Sequence, residues 1–399
     1  MIPYEVSFPT HVLFGCGELT KIGSEAAKLG HKALLVTGGK AVRAAGILQR
    51  AIQYLTESNV TPILYDRIEP NPRTSSVDAG AALAREHACD LVIAIGGGSV
   101  MDAAKMIALT AKSQRPAYDY MRGNPDGLFA QLATITDALP IITVPTVAAT
   151  GSEANEKSVL THWDTHEKSS MSMPALFPRT ALLDPTLTYS VPSRVTAESS
   201  ADIFSHLFEA YLISAPSTHV QDGITESLIR QVVHFAPIAV AEPRHEEARS
   251  TLLWASTLAI SPFTLAGRGA GYPLHQLEHP LSGHYDISHG RGLSILALPY
   301  FRQIIAHDRP DRLARMGRQC FGVTHPDDQQ AAFDTIDAVA AWFARLGITE
   351  RLADFGIPHA ALETLAEDAI RIGGRGSGSI AGSRPISLRD VLAIYEACY

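Results

Sequence analysis

The 399-residue chain has few cysteines, no long apolar run and no excess of basic residues. Its four cysteines form no CxxC pair, which argues against a thiolate metal site or a disulfide framework and favours reduced thiols in the cytoplasm. No apolar run reaches the roughly 18 residues of a membrane-spanning helix, and the first residues do not resemble a signal peptide. The 41 acidic residues exceed the 33 basic ones, and a formal charge of −8 argues against nucleic-acid or membrane partners.

Short β-type runs alternate with helical patterns in the first half of the chain. We predict strands at 32–37, 61–65, 90–95 and 140–144, with helices at 41–56, 77–87 and from 100 to about 111. The third run is apolar after its first residue, which is typical of a strand covered on both faces. Such an alternation predicts an α/β fold with a doubly wound parallel sheet.

The second half of the chain shows long helical patterns and few strands. Helices are predicted at 197–213, 223–235, 248–258, 293–307, 329–346, 360–371 and 388–397. The last of them begins at a capping-box pattern, Ser387 followed by Asp390. We therefore predict two domains: an α/β dinucleotide-binding domain at 1–190 and an all-helical domain at 191–399.

A glycine block lies between an apolar strand and a helix. Gly96, Gly97, Gly98 and Ser99 follow the predicted strand directly. Glycines let backbone N–H groups approach a ligand closely, and a helix N-terminus favours a pyrophosphate. The block lacks the G-x-G-x-x-G pattern, so an ordinary strand-to-helix turn is the alternative interpretation.

A second pair of glycines, Gly38 and Gly39, follows the strand at 32–37 and predicts the place of the adenosine ribose. An NAD site usually has an acidic residue there, which bonds the ribose 2′-hydroxyl. This chain has Lys40 and Arg43 instead, which favours NADP(H) over NAD(H). Two solvated basic residues at the start of a helix are the alternative.

Potential metal ligands occur in pairs in the second half. Asp202 and His206 are four residues apart, as are His275 and His279, and His289 follows ten residues later. On a helix, side chains four residues apart leave the same face. A set with oxygen and nitrogen donors and no sulfur suits Zn²⁺ or Fe²⁺, and a coincidence of spacing is the alternative.

These motifs together resemble the iron-containing (group III) alcohol dehydrogenase family, within it the NADPH-dependent butanol dehydrogenase/aldehyde reductase branch. The resemblance spans essentially the whole chain. The matching motifs are Phe14-Gly15-x-Gly17, Glu69-Pro70-Asn71-Pro72, the block from Gly96 to Asp102 and Lys105, Thr143-x-Pro145-Thr146, Thr150-Gly151-Ser152-Glu153, Leu183-Asp184-Pro185, Asp202-x-x-x-His206, His275-x-x-x-His279-Pro280-Leu281 and Ser288-His289-Gly290.

The resemblance implies a metal-dependent alcohol dehydrogenase or aldehyde reductase that uses a nicotinamide dinucleotide and acts on a small alcohol or aldehyde. It implies one divalent metal held by Asp202, His206, His275 and His289, with His279 beside the nicotinamide as the proton relay or as a packing group. The cofactor-binding residues are then expected among Gly38, Gly39, Lys40, Gly96, Gly97, Gly98, Ser99, Asp102, Thr143, Thr146, Thr150, Ser152 and Lys168. Members of the family are often dimers that pair through edge strands, so a homodimer is expected here, with 6–14 as the pairing segment.

Two arginines depart from the family pattern. Arg268 and Arg291 occupy positions near the histidines where a small residue is expected. Both are candidate substrate residues for an aldehyde that bears a carboxylate or phosphonate group. The alternative is that they lie at the surface or pair with acidic residues.

Two other functions remain open at this point. A dehydroquinate-synthase-like lyase has the same architecture, but it requires a larger basic cluster and a glutamate ligand. A non-catalytic nucleotide or metal sensor would not need Lys105, His279 and four metal ligands together.

Overall fold

Two units make up the part of the chain that the computed structural model describes, which is residues 2–214, 218–269 and 271–399. Phe8–Val191 form one of them, called here the α/β unit. Residues 2–7 belong with Pro192–Tyr399 in the other, called here the helical unit. No helix among the described residues is both long enough and apolar enough to cross a membrane.

The α/β unit is built from eight strands and five α-helices. The strands are β1 (His11–Phe14), β2 (Lys32–Thr37), β3 (Thr61–Tyr65), β4 (Leu91–Gly96), β5 (Ile141–Pro145), β6 (Lys157–His162), β7 (Glu167–Ser172) and β8 (Thr180–Leu183). The α-helices are α1 (Ile22–Ala27), α2 (Lys40–Ala44), α3 (Ile47–Glu57), α4 (Thr74–Glu86) and α5 (Gly98–Ser113).

Six strands form a fully parallel sheet in the order β1-β8-β5-β4-β2-β3. Alternate residues of β2 lie on opposite faces, with Leu34 and Val36 packed in the core formed with α4 and α5. Leu35 packs on the other face, in the core formed with α1 and α3. Coverage on both faces explains the apolar strand sequences and confirms the predicted doubly wound α/β fold.

The order of the strands reverses between β2 and β4. The chain leaves β2 for β3 on one side, whereas it leaves β4 for β5 on the other. In open α/β sheets, such a switch point leaves a crevice at the carboxyl ends of the strands, where ligands bind. Both glycine segments, after β2 and after β4, therefore begin at the switch point.

The helical unit contains eleven α-helices among its described residues. They are α6 (Ser193–Ile213), α7 (His219–Ala241), α8 (Glu246–Ala259), α9 (Pro262–Leu265), α10 (Pro273–Tyr285), α11 (His289–Tyr300), α12 (Ala306–Asp308), α13 (Pro310–Met316), α14 (Asp328–Arg345), α15 (Leu362–Gly373) and α16 (Leu388–Ala397). Two π-helical segments, Phe301–Ile305 and Gly317–Phe321, continue α11 and α13. The predicted capping box of α16 is confirmed, because Ser387 and Asp390 bond each other's backbone N–H groups.

Some elements differ from the prediction. The single helix expected at 41–56 is two helices, because Gly46 has a left-handed backbone with φ of 69° between them. Sequence reasoning also missed the antiparallel pair β6 and β7, whose strands are rich in polar residues although mostly buried. It missed α10 as well, a helix with proline at its first position and again inside it.

Candidate metal centre and nucleotide-binding loops

Four of the predicted ligands converge inside the helical unit. One ligand atom each from Asp202, His275 and His289 lies within 4.8 Å of the others. Asp202 Oδ1 is 3.9 Å from His275 Nε2 and 4.0 Å from His289 Nε2. His206 completes the group, since its Nε2 lies 2.9 Å from His275 Nε2 and its Nδ1 lies 3.4 Å from Asp202 Oδ1.

Three helices place these side chains. Asp202 and His206 lie one turn apart on α6, as their spacing predicts, and are almost completely buried. His275 lies in the first turn of α10, and His289 is the first residue of α11. His289 is the most exposed of the four, with 23% of its side chain accessible.

A buried glutamate behind His275 was not anticipated from the sequence. Glu209 on α6 accepts a short hydrogen bond from His275 Nδ1. Its other oxygen accepts the backbone N–H groups of Leu274, at 2.6 Å, and His275, at 3.4 Å. Because Nδ1 keeps its proton to donate this bond, Nε2 carries the lone pair whenever the ring is neutral.

Glu278 is the corresponding hydrogen-bond acceptor behind His289. This glutamate on α10 is completely buried and accepts a short hydrogen bond from His289 Nδ1 and another from Ser282. Both glutamates follow a candidate ligand by three residues, Glu209 after His206 and Glu278 after His275. That helical spacing was the available sequence signal.

The donor set suits a divalent metal ion. Lone pairs of several imidazoles and a carboxylate oxygen point at a common space, and such groups repel one another unless positive charge lies between them. Burial lowers the pKa of His275, but the surrounding carboxylates, Glu209 above all, raise it by more, so the pKa ends above its ordinary value. The site therefore attracts cations.

His279 lies on the same helix as His275, one turn later, and is buried. Its ring centroid is 6.1 Å from that of His289. The structure thus brings His279 beside the four-residue cluster rather than into it.

In the α/β unit the two glycine segments abut at the switch point. A β-carbon on Gly38 would come 3.3 Å from Val100, a residue of the first turn of α5. A β-carbon on Gly96 would meet Val100 at 2.6 Å, and one on Gly98 would meet Thr150 at 2.5 Å. Gly96 and Gly98 are thus required by packing, whereas Gly97 has room and leaves the backbone open to a ligand.

Asp102 and Ser152, both predicted to bind the cofactor, belong to a buried polar network. Asp102 accepts hydrogen bonds from Ser152 Oγ at 2.5 Å and from the backbone N–H of Val159 at 3.0 Å. Lys105 donates to Ser152 Oγ at 2.8 Å, to Asn155 Oδ1 at 3.1 Å and to a backbone carbonyl oxygen. The network attaches α5, whose N-terminus follows the glycine block, to the chain after β5.

Burial lowers the pKa of Lys105 to about 8, although the nearby Asp102 carboxylate opposes the shift. The ammonium group donates to three uncharged acceptors, and the negative charge nearest to it is that of Asp102. Lys105 therefore links α5 to residues 152–157, and the predicted cofactor site includes residues of both segments.

The remaining predicted cofactor residues have mainly structural contacts. Thr143 is completely buried on β5 and donates to the carbonyl of Glu153 at 2.8 Å. Thr146 donates its backbone N–H to Gly96 O at 2.9 Å, which joins the two loops. Lys168 on β7 is buried and donates to Asn71 Oδ1 at 3.0 Å.

At the end of β2, Gly39 has a positive φ of 58° and Lys40 begins α2 with an exposed side chain. Arg43 forms a half-exposed ion pair of 2.8 Å with Asp66, which follows β3. Sequence reasoning missed this acid because it follows the neighbouring strand, β3, and not β2.

Both candidate substrate arginines are buried in ion pairs. Arg268 donates to Asp222 at 2.7 Å, a carboxylate that also binds Arg312. Arg291 donates to Glu198 at 3.1 Å and to Glu350 at 2.6 Å. These contacts favour the alternative interpretation, in which both guanidinium groups pair with acidic residues of the protein.

Comparisons with known proteins match the whole chain. The family model "Iron-containing alcohol dehydrogenase" matches residues 9–185, and "Fe-containing alcohol dehydrogenase family, C-terminal" matches residues 196–399. The chain is 36% identical to NADH-dependent butanol dehydrogenase A of Clostridium acetobutylicum, with 100% of each chain covered. It is 27% identical to the NADPH-dependent aldehyde reductase YqhD of Escherichia coli, with 99% of each covered. The crystal structure of NADH-dependent butanol dehydrogenase A from Thermotoga maritima has a TM-score of 0.93 and 28% identity, covering 100% of this chain and 99% of that one.

Proposed function

Because the chain belongs to the iron-containing alcohol dehydrogenase family and is an oxidoreductase acting on alcohols and aldehydes, we propose that it interconverts small uncharged primary alcohols and aldehydes. The family uses NAD(P)H and iron or a similar metal. The observation that supports the proposal most directly is the convergence of one carboxylate and three imidazoles in the helical unit. A lyase of the dehydroquinate-synthase type is not favoured.

Asp202, His206, His275 and His289 would hold the metal, Fe²⁺ or Zn²⁺. When bound, the metal supplies a Lewis acid for the substrate oxygen, and the nicotinamide supplies or accepts the hydride. Glu209 and Glu278 accept hydrogen bonds from the Nδ1–H groups of two of these rings. The lone pair of each Nε2 then stays available for the metal.

A proton must reach or leave the substrate oxygen in either direction, and we assign this role to His279. Imidazole is the side chain that exchanges protons most readily near neutral pH. His279 lies one turn from His275 and is buried, so its proton is held away from bulk water.

The charge around the site favours uncharged substrates. Asp202, Glu209 and Glu278 place three carboxylates around the ligand group, against the two positive charges of a divalent metal. Arg268 and Arg291 are already paired with carboxylates. An acidic aldehyde would therefore meet net negative charge rather than a receptive guanidinium group.

For the cofactor we propose the glycine segments at the switch point as the dinucleotide site, with NADP(H) preferred. The end of β2 has no acidic residue, and exposed Lys40 offers a cation for the 2′-phosphate. Asp66 opposes this preference in part, because it engages Arg43. Four relatives at 34–36% identity are named as NADH-dependent butanol dehydrogenases, two of them as probable, and one at 27% identity is named as NADPH-dependent.

We also propose a cytoplasmic homodimer. β1 pairs with β8 and is an edge of the described sheet. Phe14, the last residue of β1, exposes an apolar side chain. An edge strand of a parallel sheet that ends in an exposed apolar side chain is suited to pairing with a second copy of the chain.

The test compares two four-carbon aldehydes, butanal and succinic semialdehyde, which differ in a carboxylate. Purified protein loaded with Fe²⁺ or Zn²⁺ is expected to oxidise NADPH with butanal at a higher kcat/KM than with succinic semialdehyde. Complete metal removal by a chelator is expected to abolish turnover. Turnover that survives metal removal, or a preference for the acidic aldehyde, would contradict the proposal.

A single substitution tests the proposed cofactor preference. Lys40→Asp is expected to lower the ratio of kcat/KM for NADPH to that for NADH by about tenfold, the value of one charge-assisted hydrogen bond. A wild-type preference for NADH, or an unchanged ratio in the variant, would contradict the assignment of Lys40.

A further inference from the structure

The metal-site helices are joined by a second group of charged residues outside the ligand set. Glu198 lies on α6 one turn before Asp202, and Arg291 lies on α11 two residues after His289. Arg291 is only 2% exposed, and a buried arginine usually has a defined partner. Its position next to a candidate ligand calls for a functional explanation.

Both oxygens of Glu198 bond to groups that flank His289. Ser288, the N-cap residue of α11, donates its hydroxyl to Glu198 Oε2 at 2.6 Å. Arg291 donates Nε and Nη2 to Glu198 Oε1 at 3.2 and 3.1 Å. One carboxylate therefore holds the residue before the ligand and the residue two positions after it.

The backbones of the two helices approach closely at this point. A β-carbon on Gly290 would lie 2.1 Å from the carbonyl oxygen of Glu198 and 3.4 Å from the β-carbon of Asp202. The glycine thus permits the contact and the ion pair maintains it. The remaining guanidinium nitrogen of Arg291 donates to Glu350 at 2.6 Å, which fixes the side chain from the other side.

The charges of the pair are well defined. Burial raises the pKa of Glu198, but the hydrogen bonds from Ser288 and the neighbouring arginines lower it by more, so the carboxyl is ionised. A buried, hydrogen-bonded ion pair of this kind fixes geometry more than it adds stability.

We propose that Glu198 and Arg291 are a positioning pair that holds His289 against the helix of Asp202 and so slows the loss of the bound metal. The inference rests on the proposed metal site. His289 has the greatest need of such support, because it is the most exposed of the four ligands and begins its helix. Substitutions behind a ligand commonly weaken metal binding by about 10–100-fold.

The experiment measures the rate at which Zn²⁺ passes from the loaded protein to a coloured chelator. Arg291→Met keeps most of the side-chain volume and is expected to accelerate zinc loss by about tenfold or more. Glu198→Gln is expected to have a similar effect, and the double variant should be no faster than either single variant, since both remove the same contact. Purely additive effects of the two substitutions would overturn the proposal.

Two control variants separate positioning from general destabilisation. Arg194→Met removes another bond to Glu198, of 2.9 Å, from a side chain that is 65% exposed. Arg249→Met removes a buried arginine that bonds backbone carbonyls and Thr196. Both are expected to lose zinc at nearly the wild-type rate, whatever their melting temperatures. If Arg291→Met loses zinc no faster than Arg249→Met, the proposal is wrong.

Because the readout is metal loss and not turnover, the two proposals fail in different ways. A wild-type protein that binds zinc tightly but reduces no aldehyde would refute the proposed activity, and the pair would still be judged by its own rates. A wild-type protein that retains no metal would overturn both.

Discussion

Substitution of Glu209 by glutamine tests how the structure prepares His275 for a metal. One oxygen of Glu209 accepts hydrogen bonds from the backbone N–H groups of Leu274 and His275 at 2.6 and 3.4 Å, while the other accepts a hydrogen bond from His275 Nδ1–H. In Glu209→Gln the amide oxygen must face the two backbone donors, because an NH₂ group there would meet two N–H groups. The NH₂ group then faces Nδ1.

The consequence is a change of tautomer. An NH₂ group is a donor, so Nδ1 of His275 becomes the acceptor and the ring proton moves to Nε2. A protonated Nε2 has no lone pair for a metal, and the site also loses one negative charge. We expect Glu209→Gln to weaken Zn²⁺ binding by about 10–100-fold, or about 1.4–2.7 kcal/mol.

The assay is a competition titration of Zn²⁺ between the protein and a chelator of known affinity. Glu226→Gln is the matched control, because Glu226 is also a buried glutamate of the helical unit but bonds Tyr211 and Arg315 instead. A zinc affinity of Glu209→Gln equal to that of Glu226→Gln would refute the tautomer argument. The argument would be refuted in that case even if the two variants lost the same amount of thermal stability.

Two further predictions follow from the site. His279→Gln is expected to lower kcat by about 100-fold or more, because the proposed role of His279 is to move a proton. Zinc affinity should stay at the wild-type value, because His279 is not a proposed ligand. Loss of zinc in that variant would contradict this role. Lys105 has a pKa of about 8 in the folded protein against an ordinary value of 10.5, so the unfolded chain binds more protons between these pH values. The free energy of unfolding should then gain a positive contribution as pH rises from about 8 to about 10. The free energy of unfolding of Lys105→Met, measured with urea, should lack this gain. The same pH dependence in the wild-type protein and in Lys105→Met would contradict the prediction.

The sheet was predictable where burial on both faces forces an apolar sequence. Strands 32–37 and 61–65 match the observed bounds, and the strands at 90–95 and 140–144 are shifted by a single residue. β6 and β7 escaped prediction because most of their buried positions are occupied by Ser, Thr, Lys and Glu, and several of these polar groups bond within the unit. Composition does not reveal burial of that kind.

The clustering of the candidate metal ligands was partly predictable because helical spacing reports which side chains share a face. Asp202 and His206 show this within one helix, and the approach of α10 and α11 could be expected only from the family resemblance. The two carboxylates behind the imidazoles follow the same spacing rule, but a glutamate three residues after a histidine is common on solvated helices. Their role depends on burial, which a single sequence does not give.

The arginines show why local charge is harder to predict than ligand spacing. The carboxylate partner of Arg268 is 46 residues away in the chain, and those of Arg291 are 93 and 59 residues away. Viewed in sequence, each arginine stands near histidines and suggests an anion-binding pocket. In the folded helical unit each is paired with a carboxylate from another helix or loop, so neither supplies free positive charge. The same folding brings Glu209 and Glu278 behind the ligands, which makes the region negative before any metal binds. The proposed preference for uncharged substrates therefore rests on tertiary pairing, and the −8 formal charge of the chain does not determine it.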